Sequence, residues 1–119
     1  MKQEKKITSE MQKCIDMCME AHSCCEQTMT HCLQQGGKHA DMAMMGALMD
    51  CSDMTRMCGD MMMRQSPMAM DMAGMCARAA DRCAEMAMPM STGDPMMQKC
   101  VDACRACAQA ARAVAPARA

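Results

Sequence analysis

Cysteine recurs along this chain at the spacing of one helix face. Met97, Cys100, Cys104, Cys107, Ala111 and Val114 follow one another at intervals of 3, 4, 3, 4 and 3, which stacks them on a single stripe. Ile7, Met11, Cys14, Cys18, Ala21 or His22, Cys25, Met29 and Cys32 repeat the pattern near the start of the chain. Ala47, Cys51, Met54, Cys58 and Met61 form a third stripe, and Met72, Cys76, Ala79, Cys83 and Met86 a fourth. Eleven of the 12 Cys fall on these stripes. The twelfth, Cys24, is displaced by about 100° from Cys25 and is expected on the flank. Thiolates and thioethers are soft ligands, so stripes that face one another would line a tube suited to soft metal ions.

Cu(I) suits such a ladder best. Zinc prefers discrete tetrahedral sets, usually built from two close pairs, and Cys104-Arg105-Ala106-Cys107 is the one CxxC pair present. Iron–sulfur clusters draw on closely spaced Cys runs in loops, which the sequence lacks. Cu(I) accepts two or three thiolates and lets sulfurs bridge neighbouring ions. Buried thiols resist ionisation, so an empty tube is expected to hold protonated Cys. Each Cu(I) then replaces one proton and leaves the core near neutral, a capacity of roughly one ion per Cys. Buried Cys can also serve as a small hydrophobe. Cys14-x-x-x-Cys18 and Cys100-x-x-x-Cys104 also resemble the paired motifs of disulfide-linked helical hairpins. A zinc buffer, a copper chaperone and a disulfide-stapled interaction protein stand as alternatives. A chaperone needs one exposed exchangeable site, whereas twelve inward Cys point to capacity.

Helices must position these stripes, and the sequence is punctuated for four of them. Ser9 with Gln12 reads as a capping box, and Gly36-Gly37 closes the first segment. Ser66-Pro67 places a cap and a first-turn proline ahead of the third. Pro89 breaks that segment, and Asp94-Pro95 opens the fourth. An all-α, antiparallel up-down-up-down four-helix bundle follows, with helices at roughly 9–35, 41–64, 67–88 and 95–114 and flexible tails over 1–8 and 115–119. The whole chain, 1–119, is expected to form one domain. Phe, Tyr and Trp are absent, so Met, Ala and Cys must fill the core, loosely until a ligand completes it.

In this topology the 1–2 and 3–4 connections share one end. It collects Met29, His31, His39, Met42, Met44, Met45, Met86, Met88, Met90, Met96 and Met97. Thioether binds Cu(I) without deprotonation and more weakly than thiolate, so Met86, Met90, Met96, Met97 and His31 are expected as an entry group. Met49, Met57 and Met75 are expected to face outward or to pack between protomers.

Other functions have little support. The net charge of −1 offers no basic stripe, and no aromatic platform exists, which argues against nucleic acid. No apolar run approaches the ~20 residues that span a bilayer. No nucleophile–base pair or phosphate loop is present, and His22, His31 and His39 have no evident carboxylate partner in the sequence. His22 is expected as a satisfied packing residue. The charged start, Met1 to Lys6, is followed by no apolar segment, so no secretory signal is expected. With free thiols this favours the cytoplasm, and an exported form whose presequence has been removed is the alternative.

Cys14-Ile-Asp-Met-Cys18, Ser66-Pro67 and Lys99-Cys100-Val-Asp-Ala-Cys104-Arg-Ala-Cys107-Ala108 make the chain similar to the bacterial copper storage proteins over roughly residues 10–114. The resemblance implies homotetramers of four-helix bundles, Cu(I)–thiolate clusters along each core, a polar or Met/His mouth at one end, and storage or detoxification rather than catalysis. The chain departs from that pattern in helices 2 and 3. They carry two Cys each, with Met54, Met61, Met72 and Ala79 at stripe positions that Cys could fill.

Overall fold

The computed structural model describes residues 6–116. Four α-helices account for most of it: α1 over Ser9–Gln35, α2 over Met42–Met63, α3 over Ala69–Ala87 and α4 over Pro95–Val114. Ala, Met, Gln, Glu, Lys and Arg dominate them, residues that lose little rotamer freedom in a helix. Short 3-10 turns over Gly37–Ala40 and Met88–Met90 lie in two of the connections. α1 packs on α2, α2 on α3, α3 on α4 and α4 back on α1. The helices therefore stand at the corners of a square, each antiparallel to its neighbours. Arg112 of α4 pairs with Asp81 of α3 on the outside.

The caps refine the expected boundaries. Thr8, rather than Ser9, caps α1, its hydroxyl accepting from the Met11 amide at 3.1 Å. Gln12 does not reach back to the cap; its side chain donates to Asp16 at 2.9 Å. Gly36 ends α1 at φ 68°, where a side chain would be strained. α2 closes differently. The Ser66 amide bonds to the Met61 carbonyl at 2.9 Å and the Gln65 amide to that of Met62 at 3.0 Å. This Schellman arrangement puts Gln65 at φ 54°, where Gly is usual. Ser66 and Pro67 do not open α3 directly. The Ser66 hydroxyl accepts from the Met68 amide at 3.2 Å in a turn, and the helix begins at Ala69. Asp94 caps α4 through the Met97 amide at 3.3 Å, with Pro95 in the first turn.

The tails expected at 1–8 and 115–119 are shorter where they can be followed: Ile7 and Ala115 pack against the core. Residues 1–5 and 117–119 lie outside the described residues.

The core is graded along its length. Its largest fully buried side chains include Met44, Leu48, Met97 and Val101, in the first turns of α2 and α4, and Met62 at the far end of α2. The central stretch is Cys, Ala and Thr. An aromatic ring there would take the volume that several of these small side chains share.

Two stripes differ from expectation. In α2, Thr55 is fully buried and Met54 only half-buried; the Thr55 hydroxyl is satisfied by the Cys51 carbonyl at 2.7 Å. In α3, Ala80 is buried and Ala79 half-buried. Cys24, expected on a flank, is 4% exposed. A helix at the corner of a square meets two neighbours, so its buried arc is wider than one stripe.

Candidate metal centre

All twelve Cys are buried free thiols, and the antiparallel register sorts most of them into two layers. Cys25, Cys51, Cys83 and Cys104, one from each helix, have sulfurs that all lie within 4.8 Å of one another. Cys104 Sγ is 3.9 Å from Cys25 Sγ and 3.8 Å from Cys51 Sγ. Cys100 joins this layer 3.9 Å from Cys83, with Cys24 and Cys25 also beside it.

The second layer again takes one Cys from each helix: Cys18, Cys58, Cys76 and Cys107. Cys18 Sγ is 3.9 Å from Cys76 and 3.8 Å from Cys107, and Cys76 is 3.9 Å from Cys107. Cys14 attaches to it, 4.0 Å from both Cys18 and Cys58. Seven residues separate the two layers on α1, α2 and α3, from Cys18 to Cys25, Cys51 to Cys58 and Cys76 to Cys83, or about 10.5 Å along those helices; on α4 the step from Cys104 to Cys107 is three residues, about 4.5 Å. Two Cys on α2 and two on α3 are therefore enough to complete both layers. Above them, Cys32 meets the Met97 thioether at 3.7 Å.

These distances have a chemical meaning. A disulfide needs sulfurs at ~2.05 Å, about half the separation seen. A metal–thiolate bond of ~2.3 Å lets one ion span sulfurs up to ~4.6 Å apart, and every sulfur pair quoted at 3.8–4.0 Å falls inside that reach. Each layer can hold bridged ions with little movement of the helices.

Burial raises every thiol, and contacts between neighbouring sulfurs shift them further in opposite directions. Cys32, away from the layers, is pushed up to about 11 by burial, then by the negative charges of Cys100 and Asp94. Cys14 is raised to about 12; donation from Cys18 opposes the rise, and Cys58 and burial drive it. Cys100 is pulled down by S–H donation from Cys104, Cys24, Cys25 and Cys83, against burial. Cys51, Cys58 and Cys107 are lowered by the same kind of donation. Cys104 and Cys18, which donate to several neighbours, are pushed up. In each S···S contact of the layers either sulfur can be the donor.

The expected entry group divides. Met97 is fully buried against Cys32. Met86 and Met90 are half-buried against the edge of the core, and Met96 is half-buried. His31 turns to a partner that the sequence did not reveal: its Nε2 lies 2.8 Å from Asp94 Oδ2, and His39 Nε2 lies 3.1 Å from the same oxygen. Residues 63 and 55 positions apart share no local signal; only the common end of two connections brings them together. His22 is satisfied between α1 and α2, where its Nδ1 donates to the Ser52 carbonyl at 2.8 Å. The Ser52 hydroxyl in turn donates to Glu26 at 2.6 Å. Met49, Met57 and Met75 are exposed.

The family model for copper storage proteins matches residues 7–116. A crystal structure of a protein from Nitrosospira multiformis superposes with a TM-score of 0.83 at 30% identity, covering 89% of this chain and 94% of that one. The Cu(I)-bound copper storage protein BsCsp3 superposes with a TM-score of 0.83 at 22% identity, covering 91% of this chain and 100% of that one. No curated protein sequence matches the chain. With its sulfur-lined core and a family match that spans nearly its full length, the chain belongs to the copper storage protein family, whose function is to bind and store multiple Cu(I) ions.

Proposed function

We propose that the ligands of the stored Cu(I) are the twelve core thiolates, Cys14, Cys18, Cys24, Cys25, Cys32, Cys51, Cys58, Cys76, Cys83, Cys100, Cys104 and Cys107. Ions enter at the end that carries His31, Met86, Met90, Met96 and Met97. The observation that carries this reading is the pair of complete sulfur layers, each with one Cys from every helix and neighbours 3.8–4.0 Å apart. The chain acts by holding ions and not by catalysis. It works in a reducing compartment, the cytoplasm, because free thiols persist there. It assembles into homo-oligomers, tetramers by family likeness; exposed Met49, Met57 and Met75 supply adaptable contact surface.

An anaerobic titration of the reduced protein with Cu(I), against a strong Cu(I) chelator and after a count of free thiols, tests the ligand set. Protein concentration comes from amino-acid analysis, since no Trp or Tyr is present. About a dozen tightly held ions per chain are expected, one per thiol. One or two ions would point to a chaperone. Few free thiols before reduction, with little copper bound afterwards, would leave a stapled helical protein. Zinc is the second reading, favoured by the Cys25, Cys51, Cys83 and Cys104 tetrad, which matches four-coordinate binding. A parallel Zn(II) titration decides it: tetrahedral sets load only a few ions per chain, whereas bridged Cu(I) reaches the thiol count. Replacing Met86, Met90, Met96, Met97 and His31 by Leu tests the entry. Stopped-flow loading slows while the final copper count stays close to that of the parent; unchanged loading rates would remove the entry role.

A further inference from the structure

His31, His39 and Asp94 form a second kind of metal-ligating cluster, chemically unlike the sulfur core. Their ligand atoms lie within 4.8 Å of one another. Each comes from a different element: His31 from the last turns of α1, His39 from the 3-10 turn that follows, and Asp94 from the cap of α4. The side chains are 20%, 21% and 17% exposed, enough for an ion to reach them from solvent. Asp94 divides its two oxygens. Oδ1 caps α4 through the Met97 amide, and Oδ2 receives both imidazoles. The cap alone needs no histidine, so α4 gives no reason for two of them to converge on the second oxygen.

The cluster needs only a small opening to admit an ion. Metal–nitrogen and metal–oxygen bonds of ~2.0–2.2 Å in a tetrahedral set place ligand atoms about 3.3 Å apart; the two N···O hydrogen bonds, at 2.8 and 3.1 Å, would lengthen by a few tenths of an ångström. Two imidazoles and one carboxylate make a nitrogen–oxygen set of borderline hardness, which holds Zn(II) more firmly than the Cu(I) that passes His31 on its way to the thiolates. Three protein ligands leave a fourth position for water, the arrangement of an exchangeable zinc site.

We propose that His31 Nε2, His39 Nε2 and Asp94 Oδ2 bind one divalent borderline cation, Zn(II), at this end of the bundle, separate from the core thiols. Each imidazole proton moves from Nε2 to Nδ1, so both rings bind as neutral ligands. Asp94 supplies one negative charge.

The test uses the protein with its thiols first filled anaerobically with Cu(I), then dialysed against Zn(II) buffered by a weak chelator. Metal analysis of the same sample counts both ions, and 15N-labelled histidine reports on the rings by NMR. About one Zn(II) per chain is expected beyond the copper. The ring nitrogens of His31 and His39 shift, while His22 stays fixed as the internal reference. His39→Ala and Asp94→Asn each weaken zinc retention tenfold or more; Asn remains a good helix cap, and circular dichroism verifies the fold. Absence of zinc, zinc retained equally in both variants, or unmoved His31 and His39 resonances would overturn the proposal. The NMR readout does not depend on the assignment of the copper ligands. If the core takes up no Cu(I), zinc also occupies thiols, yet the histidine shifts still decide.

Discussion

At the scale of single residues, the thiols carry a pH dependence whose sign can be worked out. Cys14 and Cys32 are raised from 9.0 to about 12 and about 11. Above pH 9.0 the unfolded chain loses these protons while the folded chain keeps them. The native state then binds more protons, and stability falls as pH rises. The contribution is whole below pH 9 and is lost as pH climbs through about 11 to 12. Thermal melts of the metal-free, fully reduced protein are expected to shift downward between pH 9 and pH 11. A flat profile across that range would mean that the thiols titrate as they do in water. Thr55 makes a second prediction. Its hydroxyl is fully buried and bonded to the Cys51 and Ser52 carbonyls at 2.7 and 3.1 Å, both already used by the helix. Thr55→Val conserves shape and costs under about 1.5 kcal/mol, measured by denaturant unfolding of the metal-free protein, because no donor is left stranded.

At the scale of elements, Gln65 marks a weak joint. It occupies the left-handed position that ends α2, at φ 54°, a conformation that costs an L residue ~1 kcal/mol. Gln65→Gly is expected to stabilise the metal-free protein by about 0.5–1 kcal/mol, seen as a rise of several degrees in Tm. A fall would show that the Gln65 side chain makes a compensating contact. The joint also shows what the sequence could and could not tell. Four helices and the inward stripe of α4 were legible because the 3-and-4 spacing of Met97, Cys100, Cys104 and Cys107 admits no other periodicity. The end of α2 was not, because Gln at a left-handed cap carries no signal where Gly would. Thr55 and Met54 exchanged places because periodicity alone ranks Met as the buried residue, while the crowded centre of the square accepts only the shorter side chain. Cys24 was misplaced by treating a corner helix as if it faced a single neighbour. The triad of His31, His39 and Asp94 was out of reach of pattern reading, since it depends on how two connections meet in space.

At the scale of the molecule, the core is complete only when loaded. Its centre is Cys, Ala and Thr, without a ring or a large aliphatic group, and thiols in mutual contact add little cohesion of their own. Ions that bind the native state and not the unfolded chain stabilise it by mass action, by ~2.7 kcal/mol at a hundredfold excess over Kd for a single site. Filling many sites multiplies this. Copper-loaded protein is expected to melt far above the metal-free form, and hydrogen exchange of core amides near Cys25 and Cys104 to slow by orders of magnitude on loading. A small change in either would place the copper outside the bundle.

The burial of every thiol has a further consequence. None of the twelve is more than 4% exposed, and Met44 and Met97 close the core beside the 1–2 and 3–4 connections. A chelator has no direct access to a thiol through the wall, so ions held on these thiols as proposed would leave singly by the way they came. The bundle then behaves as a stack in which the last ion admitted is the first to go. Loading with one copper isotope, topping up with a second and withdrawing a small fraction should return mostly the second.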